Sequence, residues 1–136
     1  MLDKLALGTA QFGLDYGINN KVGQVPKAEA FRILDLCVSC GIDVVDTAAG
    51  YGDSELVLGE YIRQKNFKLK IVSKFPTSYE GDPLAVIRKT FDNTCSDKLY
   101  GYLFHDVRTF KENRDLWELF SEIKFEGKIK KIGFSL

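Results

Sequence analysis

Short apolar runs rich in β-branched residues alternate along this chain with longer segments that carry apolar residues at helical spacing. Leu5-Ala6-Leu7 reads as a first strand, stopped by Gly8. A glycine-rich loop through Gly13, Gly17 and Gly23 follows, and Pro26 opens a helix that Gly41 closes. Ile42 to Asp46 reads as a second strand, with Ser54 as the N-cap of the helix after it. Leu69 to Ser73, ending at Lys74, and Leu99 to Phe104, ending at His105, are the third and fourth strands. Asp82-Pro83 starts the helix between them, and Gly127 ends the next one at a C′ position. Ile129 to Ser135 is the fifth strand.

An order of β-α-β-α-β-α-β-α-β requires a parallel sheet with right-handed crossovers. The strand spacing of about thirty residues matches a (β/α)8 barrel of roughly 250 residues divided into eight units. The expected fold is therefore α/β, of the (β/α)8 barrel type, with about the first four βα units plus strand five, in a single domain over residues 1–136. A doubly wound sheet fits less well, because the turn after strand one lacks a G-x-G-x-x-G stretch opening into a helix. A five-strand arc leaves Leu5–Leu7 and Ile132–Ser135 as open edges, which predicts self-association.

Nineteen basic and nineteen acidic residues cancel, which argues against a nucleic-acid or anionic-membrane surface. Lys128, Lys130 and Lys131 form a small basic cluster that reads as a solvated helix end leading into a strand. No run is long enough to span a bilayer, and the first residues show no leader pattern, so a cytoplasmic location is expected. The three cysteines read as free thiols, with Cys37 and Cys40 as small buried packing residues at a helix end. No metal site is expected.

Four residues end or follow strands: Asp46, Tyr51, Lys74 and His105, the last being the chain's one histidine. In parallel α/β proteins such groups meet at the carboxyl ends of strands. A free tyrosine titrates near ~10, and a neighbouring ammonium favours its phenolate. A buried aspartate would hold the lysine, and a histidine on the next strand could hydrogen-bond the oxygen that the tyrosine protonates. The set suits protonation of a developing alkoxide during carbonyl reduction, or the reverse in alcohol oxidation. None of the four can give a hydride, so a nicotinamide cofactor would have to supply it. Taken singly, each residue has a structural explanation: a helix cap, a loop aromatic, a solvated strand end, a satisfied imidazole. Their common placement favours the catalytic one.

Leu7-Gly8-Thr9, Gly41-Ile42-Asp43 and the long stretch from Asp46 through Tyr51 and Glu55 to Gly59 resemble the aldo-keto reductase family. Val72-Ser73-Lys74, Leu103-Phe104-His105 and the segment from Gly127 to Ser135 extend that resemblance over the whole chain, as the amino-terminal half of a family barrel. The resemblance implies reduction of an aldehyde or ketone, with NADP as cofactor and NAD as the alternative. It implies Tyr51 as general acid, Lys74 and His105 as its modulators, and Asp46 as both the lysine's partner and a cofactor-ribose contact. Gly8 and Thr9 match positions near the nicotinamide, and Ser135 the residue that binds its carboxamide, although Leu136 stands where the family usually has asparagine. A truncated non-catalytic chain and a regulatory or binding subunit on the same fold are the alternatives.

Overall fold

A computed structural model describes residues 4–136. The expectation of no leader, made on Met1 to Gly8, falls in part on Met1–Asp3, which lie outside the described residues.

The chain runs β1 (Leu7–Gly8), α1 (Ala10–Gly13), α2 (Lys27–Ser39), β2 (Val44–Asp46), α3 (Ser54–Lys65), β3 (Lys70–Phe75), α4 (Pro83–Asn93), β4 (Leu99–Phe104), α5 (Val107–Glu112), α6 (Asp115–Phe125) and β5 (Ile129–Phe134). The strands lie side by side in chain order, β1-β2-β3-β4-β5, and every neighbouring pair is parallel. That order separates a barrel arc from a doubly wound sheet, whose strand order reverses at a switch point. Right-handed crossovers between sequential neighbours put the connecting helices on one face. Among the described residues, β1 and β5 each pair on one side only.

The register sorts side chains onto two faces. Phe75, Phe104 and Phe134 are in register across β3, β4 and β5, and α6 covers this face. Phe104 stacks on Phe120 at 4.6 Å between ring centroids, and Trp117 stacks on Phe134 at 5.5 Å. Phe75, Phe104 and Phe120 are fully buried, each stabilising the fold by about 1.5–3 kcal/mol relative to exposure. One residue earlier the register aligns Lys74, Leu103 and Gly133. Because side chains alternate along a strand, these point to the opposite, concave face.

Local signals explain most boundaries. The Asp82 carboxylate accepts the Leu84 amide at 3.0 Å and Pro83 opens α4. Gly127, at φ +76°, follows the end of α6 in a conformation that suits glycine.

Several expectations are corrected. β1 is Leu7–Gly8 rather than Leu5–Leu7, since the pairing with β2 involves only Leu7 and Gly8. β2 is shorter than Ile42–Asp46, and β5 stops at Phe134. Helices α1 and α5 were not expected: each is too short to carry a periodic stripe, and each buries a single residue, Phe12 and Thr109 respectively. Ser54 is not the cap of α3 but its first residue; Asp53 occupies the cap position. Cys37 is half-buried, whereas Cys40 is exposed rather than packed. Burial, and then the neighbouring Cys40, push the Cys37 thiol above its ordinary range, the reverse of what a redox-active thiolate needs. Among the described residues, no helix is long and apolar enough to cross a membrane, and no three metal-ligating side chains converge.

Candidate active site

Lys74 lies on the concave face near the end of β3 and is buried, with 4% of its surface exposed. An ammonium out of water needs both a counter-charge and hydrogen-bond acceptors. It has both. Nζ lies 2.5 Å from Asp46 Oδ1 and donates to the Thr47 carbonyl oxygen at 2.8 Å. Asp46 sits at the end of β2, in register with Val72, one step below Lys74 on the same face. Its side chain remains 39% exposed, so it holds the lysine and still presents a carboxylate edge to the cleft.

The loop after β2 carries Tyr51 over this pair. Thr47 N donates to the Val72 carbonyl at 2.8 Å, which extends the β2–β3 pairing past the strand end. Tyr51 N then bonds Ala48 O, and Ser54 N bonds Tyr51 O, both at 3.0 Å, forming the turn into α3. The result places Lys74 Nζ 5.0 Å from the centroid of the Tyr51 ring. His105, the residue after β4, is held beside the end of β3 by its backbone N–H bond to Phe75 O at 3.3 Å. Its ring meets that of Tyr51 edge-on, with centroids 5.7 Å apart and planes at 86°. Gly50 leaves the imidazole room: a Cβ there would already touch it at 3.6 Å. Asp46, Tyr51, Lys74 and His105 therefore converge on one rim of the sheet.

The remaining candidates separate. Gly8 is in register with Asp46, and among the described residues nothing lies within 4 Å of where a Cβ would stand, so they leave the face beside the carboxylate open. Ser135 reaches the same rim, its N–H bonded to Phe104 O at 2.8 Å next to His105. Thr9 is different. It is fully buried, its N–H and hydroxyl both donate to Asp46 O at 2.9 Å, and its carbonyl accepts from Phe12 N at 2.9 Å and from Ser54 Oγ at 2.9 Å. With its backbone and hydroxyl groups engaged internally, Thr9 braces the site from beneath Asp46.

Desolvation, and then the Lys74 charge, hold the His105 pKa below its ordinary 6.5, against weaker opposing effects of Asp46 and Asp106. The imidazole is thus neutral at pH 7, able to donate or accept a hydrogen bond. For a histidine whose folded pKa is depressed, the unfolded chain takes the proton first. Stability is full above about pH 6.5 and falls as the pH drops from there to the lower folded value, where the loss is complete. With one histidine in the chain, a single imidazole resonance should titrate with its midpoint below 6.5 in NMR. A midpoint at or above 6.5 would contradict the desolvated placement.

The model of the aldo/keto reductase family matches residues 4–136. The chain belongs to the aldo-keto reductase family. Norsolorinic acid reductase B of Aspergillus parasiticus is 33% identical over 94 residues, which is 66% of this chain and 24% of that protein. A crystal structure assigned to the aldo-keto reductases from Pseudomonas aeruginosa superposes with a TM-score of 0.78 at 28% identity, over 96% of this chain and 54% of that one. The holo form of an aldo-keto reductase from Bacillus halodurans shares the fold, with a TM-score of 0.70 at 24% identity over 96% of this chain and 45% of that one. The chain thus spans about a quarter of the curated relative and about half of the solved chains.

In this aldo-keto reductase chain, several supporting residues carried no expected role. Ser54 Oγ lies 2.8 Å from Thr9 Oγ1 and 3.0 Å from Thr47 Oγ1, a buried hydroxyl cluster that ties β1, β2 and α3 together beneath Asp46. Glu55, also buried, accepts from Ser73 Oγ at 2.6 Å and Asn93 Nδ2 at 3.2 Å, fixing the residue before Lys74 to α3 and α4. A small residue such as Ser54 reads from sequence as a helix start; only the fold shows that its hydroxyl faces inward.

Proposed function

We propose that these residues form the proton-handling half of an NAD(P)H-dependent reductase of aldehydes or ketones, with Tyr51 as general acid. The observation that carries this reading is the buried Lys74 ammonium, anchored by Asp46 and Thr47 and lying 5.0 Å from the Tyr51 ring. A positive charge fixed there favours development of negative charge on the phenol as its proton leaves. The Tyr51 hydroxyl gives its proton to the carbonyl oxygen as that oxygen becomes an alcohol. His105, neutral and beside the ring, hydrogen-bonds and orients the same oxygen.

The open face beside Gly8 and the exposed edge of Asp46 fit the ribose-nicotinamide end of such a cofactor, with Ser135 near enough to take part. When bound, the cofactor supplies the hydride. Both NADPH and NADH are compatible with these residues, and NADPH is the first choice by family. The substrate is a small carbonyl compound.

The test is consumption of NADPH and NADH with a panel of aldehydes and ketones, on the protein carrying this chain. Lys74→Met keeps the length of the side chain and removes its charge. The expected loss in kcat is about 10²-fold or more. Unchanged kcat with the reduced carbonyl still formed would remove Lys74 from the chemistry.

A further inference from the structure

Lys70 and Lys74 stand at opposite ends of β3, about 13 Å apart at the rise of an extended strand. The rim at the Lys70 end is not part of the site described above. It holds a pocket of about 690 Å³ between the end of α3, the turn after α4 and the starts of β3, β4 and β5. Its size lies in the range of small-ligand sites. Ile62, Leu69 and Leu99 give it an apolar floor, and Arg63, Lys68, Lys70, Lys98 and Lys130 line it against one acid, Asp97.

This concentration of charge is unusual in a chain whose formal net charge is zero. Lys70 is paired with Asp43 at 2.8 Å. Among the described residues, Arg63, Lys68, Lys98 and Lys130 form no ion pair. Lys130 and the neighbouring Lys131 instead crowd the Tyr100 ring at 5.3 and 5.0 Å from its centroid. A structural explanation exists for part of this. Helices α3, α4 and α6 all end near the pocket, and each carboxyl end carries about half a negative charge that attracts cations. Three such ends offset about one and a half charges, well short of the positive excess lining the pocket. A hydrogen bond from Lys131, then its charge and those of Lys130 and Lys70, hold the Tyr100 phenol below its ordinary pKa of 10.0.

We propose that this pocket binds a small organic phosphate, its phosphate groups met by Lys98, Lys130 and Arg63 and its carbon skeleton by the apolar floor. Unpaired cations around a concavity are matched by a multiply charged anion, since bringing such charges together costs energy that an anionic ligand returns. The local concavity and apolar floor suit a small molecule better than the continuous backbone of a nucleic acid, which needs an extended basic stripe.

The test is an amide-resolved NMR titration of the protein carrying this chain with inorganic pyrophosphate, followed by competition with phenyl phosphate. Saturable shifts at Lys98, Tyr100 and Lys130, with a Kd of about 1 mM or tighter and none at Lys74 or His105, are expected. The Lys98→Gln/Lys130→Gln double variant should weaken binding about tenfold or more. Both lysines are exposed, so circular dichroism should show the variant folded; calorimetric titration of the wild type supplies the affinity independently. Shifts that stay linear to about 10 mM, that spread over all surface lysines, that centre on the His105 rim, or that persist in the folded double variant would each overturn the proposal.

Discussion

Tyr51→Phe is expected to lower carbonyl reduction by about 10²–10⁴-fold while leaving cofactor affinity unchanged. The substitution isolates one atom. The ring of Tyr51 meets His105 edge-on and faces the Lys74 ammonium, and phenylalanine keeps both contacts. Among the described residues the Tyr51 hydroxyl forms no hydrogen bond, so its removal leaves no buried group orphaned. Only the transferable proton is lost. Steady-state kinetics at saturating cofactor, with cofactor binding followed by fluorescence, would measure the split. Turnover close to wild type would exclude Tyr51 as the acid, and a parallel fall in cofactor affinity would mean that the hydroxyl binds rather than donates.

Gly13→Ala should damage both fold and site, although Gly13 touches no reacting group. A Cβ at Gly13 would fall on the Tyr51 carbonyl oxygen and within 2.7 Å of the Asp53 N and 2.6 Å of the Ser54 N. The close approach is reciprocal, since a Cβ on Gly52, at φ +51°, would meet the Gly13 carbonyl oxygen. These are backbone atoms, which cannot rotate away as a side chain can. Helix α1 or the Tyr51 loop must move, at an expected cost of about 1–3 kcal/mol or more. A shift of about 1 Å in the acid's position is worth about 10²-fold in rate. Thermal unfolding and kcat should therefore fall together. A variant with wild-type stability and turnover would show that α1 can be displaced without moving Tyr51.

The layout of the candidate site was largely legible in the sequence. Asp46, Lys74 and His105 end or follow strands whose β-branched and apolar composition marks them, and parallel strands send their carboxyl ends to one rim. Once the order of elements is known, those three must be neighbours. Tyr51 was legible for a different reason: it lies in the long stretch from Asp46 to Gly59 that resembles the family. What escaped was the support. The bracing bonds of Thr9 were not foreseen, and Ser54 was expected to cap α3 but instead bonds across to Thr9 and Thr47. A hydroxyl has no preferred partner that its neighbours in sequence reveal. Whether it caps, binds ligand or braces depends on which strand happens to lie opposite.

Pattern and punctuation in the chain determined the kind and order of its strands and longer helices, the parallel sheet and the rim where the polar residues gather, because periodicity and helix-end signals are local. The tertiary structure decided what depends on contacts far apart in sequence. It chose a sheet in sequential strand order over a doubly wound one, as the pairings of β1 through β5 show. It buried Lys74 against Asp46, 28 residues away, and pressed Gly13 onto the Tyr51 loop. It also gathered Arg63, Lys98 and Lys130 from three separate segments around one pocket. Such contacts arise from how whole elements pack, and no window of neighbouring residues contains both partners.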